Sequence, residues 1–359
     1  MDDDSATLDA QALLRFRELG PAAIDAVTER FYTTHGTVYA EFGPKGRQAC
    51  RDDLAFHLEF LRPVLEFGLL QPMVDYLRWL ATVLETRGIP AEHLALSLDW
   101  LAEFFASHMS GADAGVVATA LARTKARFLL ADDSPPAIYG HMPVPWDDSA
   151  DFESALLAGD RRSAEALFDR HLKGHGLVDT ELHLVQPALY SVGRRWQENQ
   201  VSVAQEHLAT AIAQSVMSSG LMKSPIPASN GKRVLLACVQ GNHHSVGLLM
   251  VADAFQLAGW NVHYLGADVP TTSILQHLGV FKPHLLALSV SFAQQLPVVK
   301  EITARLNGLP PGDRPAVIIG GLAINQFDRL ANRLGADAWG PDARAAVERA
   351  GSFMAASNP

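Results

Sequence analysis

The sequence predicts an all-helical part followed by an α/β domain with a parallel sheet, and three observations lead to this fold class. Residues 7–131 show helical segments separated by glycines and prolines. Residues 149–223 contain four further short helical segments. From Lys232 onward, short apolar runs alternate with helical segments, a pattern that favours a parallel sheet with helices on both faces.

The first predicted domain, residues 1–132, is all-helical. Turn-forming residues at Gly43-Pro44, Gly68 and Gly88 separate its helices. The predicted helices are Pro21–His35, Lys45–Phe67, Gln71–Arg87, Ala91–His108 and Ala112–Leu130.

A proline-rich linker, residues 133–148, follows the helical domain. Its two proline clusters, Pro135-Pro136 and Pro143-Val144-Pro145, predict a stiff, non-helical segment. The helical segments after it predict a four-helix bundle over residues 149–225, which we call the cap.

The last domain, residues 226–359, is predicted to be a flavodoxin-like, Rossmann-type domain with five parallel strands. Five strands joined by helices fit the doubly wound order. The predicted strands are Arg233–Val239, Asn261–Leu265, Leu285–Ser291, Ala316–Ile319 and Ala336–Trp339. The predicted helices are Gly247–Ala258, Thr271–Leu278, Gln295–Leu306, Ile324–Leu334 and Ala343–Met354.

Composition narrows the function classes. With 359 residues, 48% of them hydrophobic, the chain can bury sizeable cores, and its net charge of −10 argues against a nucleic-acid-binding surface. Cys50 and Cys238 are too few for a disulfide framework or a zinc site. The acidic start is unlike a signal peptide, and no apolar run reaches the roughly 18–20 residues that span a bilayer. We therefore expect a cytoplasmic protein that binds neither membranes nor nucleic acid directly.

A candidate ligand site follows the first predicted strand. A histidine at a strand's carboxyl end, three residues before a helix-opening glycine, can reach the cleft where α/β sheets bind ligands. Serines end the third strand and a Gly-Gly pair ends the fourth; small residues there leave room for a ligand, and hydroxyls can bond it. The predicted binding residues are Asn242, His243, His244, Ser245, Val246, Gly247, Ser289, Ser291, Gly320 and Gly321.

A second constellation lies in the cap. Ser202 and Gln205 form a capping box, so a helix is predicted to begin near Val203. Trp196 ends the preceding helix, and the short loop between the two brings it near Glu206 and His207. Taken alone, these residues would be a core tryptophan and a solvated first turn.

The order His244-x-x-Gly247, then the serines, then Gly320-Gly321 resembles the cobalamin-binding signature Asp/Glu-x-His-x-x-Gly. The resemblance implies that the cofactor's nucleotide tail fills the slot beside the sheet and that His244 is the lower ligand of cobalt. Asn242 stands where an acid is usual; it can accept a hydrogen bond from the imidazole but adds no charge. We therefore expect a weaker bond between His244 and cobalt.

The spacing Trp196-x9-Glu206-His207 is similar to the upper-face motif of CarH-type photoreceptors, and the resemblance extends over residues 150–355. It implies adenosylcobalamin bound base-off and His-on, with Trp196, Val203, Glu206 and His207 around the adenosyl group. Gln197 replaces a histidine that ligates cobalt after illumination in those proteins, so His207 or water is the expected substitute.

CarH-type repressors begin with a helix-turn-helix domain, but residues 1–132 contain no basic recognition helix. They offer instead a face with His57, and three arginines that could meet carboxylates: Arg62, Arg78 and Arg87. One interpretation is a plain helical dimerisation or regulatory domain. The other is a pocket for a second chromophore, because the arrangement resembles the photocobilins, which pair cobalamin with biliverdin; haem is a third option. No cysteine suits bilin attachment, so a bilin would be bound non-covalently.

These patterns together predict a light sensor rather than an enzyme. Photolysis of the Co–C bond would change the domain arrangement or the oligomeric state of a homo-oligomer, a dimer or a tetramer, and so signal to an unknown protein partner. The alternatives are a corrinoid protein that carries methyl groups for a methyltransferase system and a light-insensitive cobalamin sensor. The tryptophan motif argues against the methyl carrier, because a methyl group needs an accessible upper face.

Overall fold

The computed structural model describes residues 6–85, 87–130, 143–310, 312–326 and 330–356. The chain divides into two compact units, Met1–Pro136 and Ala137–Pro359. Most of the predicted linker lies outside the described residues; of the remainder, residues 143–146 have no regular secondary structure. None of the described helices combines the length and the apolar character that crossing a bilayer requires.

The first unit is helical, as predicted, but its first helix is longer than predicted. It begins at Ala10, not at Pro21, because Asp9 caps it: the Asp9 carboxylate accepts a hydrogen bond of 2.8 Å from the Ala12 N–H. Pro21 lies inside the helix, where the buried side chains of Phe16 and Leu19 offset the hydrogen bond that proline lacks. The helices are α1 (Ala10–Thr34), α2 (Gly36–Tyr39), α3 (Gly43–Phe67), α4 (Gln71–Glu85), α5 (Ala91–His108) and α6 (Gly111–Leu129).

The second unit begins with the predicted four-helix bundle. Its third helix is continuous but contains a π-helical turn, Glu181–Val185, between α9 and α10. Phe152, Phe168 and Met217 are among the fully buried side chains of the cap core. The helices of the cap are α7 (Ser149–Leu157), α8 (Arg161–His175), α9 (Leu177–Thr180), α10 (Gln186–Gln197) and α11 (Val203–Lys223).

A five-stranded parallel sheet of order β2-β1-β3-β4-β5 follows, which confirms the flavodoxin-like fold. The strands are β1 (Arg233–Cys238), β2 (Asn261–Tyr264), β3 (Leu285–Ser289), β4 (Ala316–Gly320) and β5 (Ala338–Gly340). The apolar runs that predicted β1 and β3 are fully buried because helices cover both faces of the sheet.

The helices of the α/β domain agree with the predictions except near the fourth crossover. There, two short helices, α15 and α16, replace the single predicted helix Ile324–Leu334, and residues 327–329 between them lie outside the described part. The helices are α12 (Val246–Leu257), α13 (Thr271–Phe281), α14 (Leu296–Asn307), α15 (Leu322–Asn325), α16 (Leu330–Arg333) and α17 (Ala343–Ala356).

Candidate functional site

The strand register brings the three predicted loops to one edge of the sheet. Cys238 of β1 pairs with Ser289 of β3, and Ser289 pairs with Gly320 of β4. These residues are the last of their strands, so the segments that follow them leave the sheet side by side. The reversal of strand order between β1 and β3 makes this edge the place where doubly wound sheets bind ligands.

Asn242 fixes the backbone of the loop that carries His244. Its side chain is fully buried; Nδ2 donates a 2.9 Å hydrogen bond to the Ser289 carbonyl oxygen, and Oδ1 accepts one of 3.1 Å from the His244 N–H. The expected hydrogen bond from the His244 imidazole to Asn242 is therefore not the one observed; Asn242 bonds backbone groups instead. The amide ties the loop to β3, which a carboxylate could not do because it has no hydrogen to donate.

Two further residues that the sequence did not single out hold the same loop. Gln295 is 5% exposed; its Nε2 donates to the Gly241 carbonyl oxygen at 2.8 Å, and its Oε1 accepts from the N–H groups of Ser291 and Phe292, each at 3.1 Å. The Asp268 carboxylate accepts a 2.7 Å hydrogen bond from the Gly241 N–H. The position of Gln295, three residues after Phe292 at the start of a helix, was the signal available in the sequence.

The imidazole of His244 lies edge-on to the ring of Phe292, with centroids 5.1 Å apart and an interplanar angle of 77°. Nearby protein atoms displace part of the water around His244 and lower its pKa below its ordinary value, although the residue keeps an exposed face; the Glu206 carboxylate opposes this shift and His243 adds to it. The ring is therefore neutral at pH 7 and has a free lone pair. Helix α11, whose first turn carries Glu206, contacts α12, the helix that follows this loop.

The neighbours of His244 in the motif open towards solvent. His243 and Gly247 are exposed, and a Cβ atom built on Gly247 would meet nothing within 4 Å. Val246 begins α12, and the Ser245 carbonyl oxygen accepts a 3.2 Å hydrogen bond from the Tyr264 hydroxyl. Space for a ligand is thus available beside the imidazole.

The capping box in the cap is confirmed. Ser202 Oγ accepts from the Gln205 N–H at 3.3 Å, and Gln205 Oε1 accepts from the Ser202 N–H at 3.0 Å. The loop before it is closed by the Arg195 carbonyl oxygen, which accepts hydrogen bonds from the N–H groups of Gln200 and Val201. This short connection holds the end of α10 beside the start of α11.

The side chains at this end of the cap are not core residues. Trp196 is 40% exposed and Val203 is 54% exposed, which excludes the interpretation of Trp196 as a buried core residue. His207 Nδ1 donates to one oxygen of the Glu206 carboxylate, and the other oxygen accepts a 2.9 Å hydrogen bond from the Thr210 hydroxyl. Glu206 is thus oriented by two partners while the imidazole of His207 remains mostly in solvent.

The serines and the Gly-Gly pair are explained largely by packing. Ser289 and Ser291 are buried. A Cβ atom on Gly320 would lie 2.8 Å from the Gly340 carbonyl oxygen, and one on Gly321 would lie 2.9 Å from the backbone nitrogen of Val290. Gly321 also has a φ of +100°, which other residues rarely adopt. Close backbone approach within the protein therefore requires both glycines, whether or not a ligand lies beside them.

The metal-binding side chains at this site suit a metal ion that is already coordinated by a macrocycle. No cluster of three or more His, Cys, Asp or Glu side chains suited to a metal ion occurs in the described part of the chain. A single neutral imidazole such as that of His244 would hold a bare ion weakly, but it can complete the coordination of a metal already bound in a macrocycle. The residues present therefore fit a corrin ring with cobalt at its centre.

Comparison with known proteins agrees with this chemistry. Residues 232–348 match a family described as B12 binding domain, and residues 149–219 match a second family of the same description. The transcriptional repressors CarA and CarH of Myxococcus xanthus are 34% and 28% identical to this chain, each over 42% of it. The chain spans about half the length of these two relatives, 49% and 50% respectively.

Other relatives are named as methylamine corrinoid proteins. Dimethylamine corrinoid protein 3 of Methanosarcina mazei is 29% identical over 33% of this chain and 69% of its own length. The solved structure of the Methanosarcina barkeri monomethylamine corrinoid protein aligns at 20% identity with a TM-score of 0.48, covering 57% of this chain and 97% of that one. The two family matches and the site geometry support one conclusion: the cap and the α/β domain resemble B12 binding domains, and the cofactor that they support is cobalamin.

Proposed function

We propose that the chain is a light sensor that holds adenosylcobalamin between the cap and the α/β domain. The observation that carries this proposal is that α11, which holds Glu206 in its first turn, contacts α12, the helix that follows the His244 loop at the sheet edge. One residue belongs to the predicted upper face of the cofactor and the other to its lower face. An enzymatic role is not part of the proposal.

On the lower side, His244 would be the cobalt ligand and bind the cofactor base-off. Its neutral ring has the lone pair that coordination requires, and Phe292 limits the positions that the ring can take. Asn242 and Gln295 fix the loop backbone and so set the height of the ring above the sheet. Ser289, Ser291 and the Gly320-Gly321 pair would flank the nucleotide tail.

On the upper side, Trp196, Val203, Glu206 and His207 would contact the adenosyl group. When bound, the cofactor supplies a Co–C bond that visible light cleaves. Departure of the adenosyl group would remove the contacts of Trp196 and Val203, and the cap would then take a second position against the α/β domain. Gln197 offers no imidazole beside Trp196, so either His207 or water would take its place on this side after illumination.

The output of such a change would be oligomeric or would act through a protein partner. We propose a homo-oligomer whose assembly depends on the position of the cap. The net charge of −10 favours a protein partner over direct contact with nucleic acid.

The test is to load the protein with adenosylcobalamin in the dark, illuminate it with green light, and record absorbance and elution volume. We expect a spectral change together with a change in elution volume. His244→Ala should lack the His-on spectrum, while His243→Ala, its exposed neighbour, should retain it. A loaded protein in which light changes neither readout would overturn the proposal.

A second candidate is a corrinoid protein that carries methyl groups. The exposure of Trp196 and Val203 favours it, because a methyl carrier must present its upper face to a partner enzyme, and several relatives are named as methylamine corrinoid proteins. The same experiment separates the two candidates. A methyl carrier should bind methylcobalamin and adenosylcobalamin alike, and its elution volume should not change on illumination. A light-insensitive sensor should change its elution volume when cobalamin binds in the dark.

For the first unit, we propose biliverdin as a second chromophore. Support comes from the buried imidazole of His57 and from the basic residues on α3 and α4. Two of these arginines already have partners: Arg62 pairs with Glu66, and Arg78 donates to the backbone carbonyl oxygens of Arg127 and Leu130. Biliverdin should produce a red-shifted band when added to the protein, and the absence of that band would remove biliverdin from the proposal.

A further inference from the structure

A cavity of about 90 Å³ lies inside the first unit and takes no part in the cobalamin site. Aromatic rings form part of its wall, namely those of Phe31, Tyr39, Phe42 and His93. Aliphatic side chains such as Leu54 and Leu94 close other sides. The cavity is thus mainly apolar and has flat surfaces suited to a ring.

One polar atom of the wall has an unused hydrogen-bonding capacity. His57 is 1% exposed, and its Nε2 has no hydrogen-bond partner among the described residues. Its Nδ1 lies 2.6 Å from the Asp53 carbonyl oxygen and 3.0 Å from the Tyr76 hydroxyl. Because a carbonyl oxygen can only accept, the 2.6 Å contact requires that the proton be on Nδ1.

This tautomer leaves Nε2 as an acceptor. Burial lowers the pKa of His57 to about 4, outweighing its hydrogen bond with the Asp53 backbone, so the ring stays neutral at pH 7. Asp53 and Tyr76 contact the Nδ1 edge of the ring. The opposite edge, which carries Nε2, has no hydrogen-bond partner among the described residues. A buried acceptor without a donor costs free energy, and a ligand with an N–H or O–H group would remove that cost.

Two other polar pairs of the wall are already engaged. The Tyr39 hydroxyl and His93 Nδ1 are 2.8 Å apart and bond each other. Ser97 Oγ donates a 2.6 Å hydrogen bond to the Leu94 carbonyl oxygen of its own helix. The Asp53 carboxylate also lines the cavity, but among the described residues of the wall only His57 has a fully buried side-chain atom without a hydrogen-bond partner, Nε2.

We propose that this cavity binds a single-ring aromatic compound that donates one O–H or N–H hydrogen bond to His57 Nε2. The flat aromatic rings of the wall favour a ring-shaped ligand, and a volume of about 90 Å³ limits that ligand to one ring. The proposal is independent of light sensing, assigns His57 to a smaller ligand than the biliverdin proposed above, and can be tested on the full chain without cobalamin.

Phenol and toluene are matched probes, since they have nearly the same shape and only phenol has an O–H group that can donate a hydrogen bond. Calorimetric titration of the full chain should give phenol an affinity about tenfold higher than toluene, the contribution of one hydrogen bond of ordinary strength. In His57→Phe this ratio should fall to about one. Ser97→Ala, which alters the wall but keeps the acceptor, should leave the ratio unchanged.

A measurement on the unmodified protein covers the case in which His57→Phe does not fold. The ¹⁵N signal of His57 Nε2 should move when phenol is added and stay in place when toluene is added. Equal affinities for phenol and toluene, binding of neither, or a phenol complex that leaves the Nε2 signal unmoved would overturn the proposal.

Discussion

The carboxyl groups of Glu181 and Asp253 face each other in the interior of the second unit, one from the cap and one from α12 of the α/β domain. Glu181 is fully buried and Asp253 is 3% exposed. No N–H or hydroxyl group in the described ranges donates a hydrogen bond to either Glu181 oxygen or to Asp253 Oδ2, so the partner open to each carboxyl group is the other carboxyl group. Burial and the neighbouring carboxyl group raise the pKa of Glu181 far above its ordinary value, so the pair holds one proton at neutral pH.

This pair predicts that the second unit loses stability as pH rises from about 4 to about 6. Burial raises the pKa of Asp253 from 3.8 to about 6, so between these values the folded chain binds more protons than the unfolded chain. The free energy of unfolding therefore falls with rising pH, by about 3 kcal/mol for this group. Asp253→Asn should make that part of the pH profile less steep in urea unfolding, with the remaining slope coming from Glu181, and should make the protein more stable at pH 7.

Glu301→Gln is a suitable control, because Glu301 is an exposed carboxylate that pairs with Arg305 on its own helix. Its pH profile should match that of the unmodified protein. Equal slopes for Asp253→Asn and the unmodified protein between pH 4 and about 6 would show that the buried pair does not titrate in this range.

The hydrogen bonds of Asn242 predict that an acid at this position is costly in this chain. In Asn242→Asp the carboxylate would face the Ser289 carbonyl oxygen without a hydrogen to donate. We expect a loss of about 1–3 kcal/mol in the free energy of unfolding at pH 7.5, which urea denaturation measures. Asn261→Asp, an exposed amide on β2, should cost much less; equal losses would contradict the role assigned to Asn242.

Gln295 is predicted to support cobalamin binding without contacting cobalt. Gln295→Ala leaves the Gly241 carbonyl oxygen and the N–H groups of Ser291 and Phe292 without their partner. We expect the affinity for cobalamin to fall by about tenfold or more, because the His244 loop is no longer fixed. Gln295→Glu keeps the acceptor, so its affinity for cobalamin in equilibrium binding should lie between those of the unmodified protein and Gln295→Ala. An unchanged affinity of Gln295→Ala would show that Gln295 does not support cobalamin binding.

Two glycines of the site should respond in opposite ways to alanine. Gly321→Ala forces a positive φ and a contact with the Val290 backbone, so we expect a stability loss of about 1–3 kcal/mol or more. Gly247→Ala has open space around its Cβ and lies in the first turn of α12, so stability should stay equal or rise by up to about 1 kcal/mol. Thermal unfolding compares the two variants.

Cobalamin binding should show the reverse for Gly247→Ala. Gly247 is one of the predicted binding residues, and its added methyl group would occupy open space at the start of α12, so a folded and stable variant should bind the cofactor more weakly. Unchanged affinity would mean that the ligand does not approach this side of the motif.

The fold was largely predictable because its signals are local. Alternating apolar runs and helical segments specified the five strands, and Ser202 with Gln205 specified the start of α11. Pro21 misled the prediction of α1, because a proline stops a helix only when packing does not compensate for the missing hydrogen bond.

The site was predictable in position but not in detail. His244 and the Gly-Gly pair could be placed at one sheet edge because strand ends share that edge. The roles of Asn242, Gln295 and Phe292 depend on contacts between strands far apart in sequence, which no local pattern reveals. The same holds for Glu181 and Asp253, whose pairing exists only after the cap packs on α12.

The π-helical turn Glu181–Val185 has a consequence for the end of the cap that carries Trp196. A π-helix accommodates an extra residue in its turn, so every side chain after it is rotated by about 100° relative to an uninterrupted α-helix. Without that residue, Trp196 would point to a different side of the helix. One inserted position in the third helix of the cap thus sets the angular phase of α10 and determines which surface the indole ring presents.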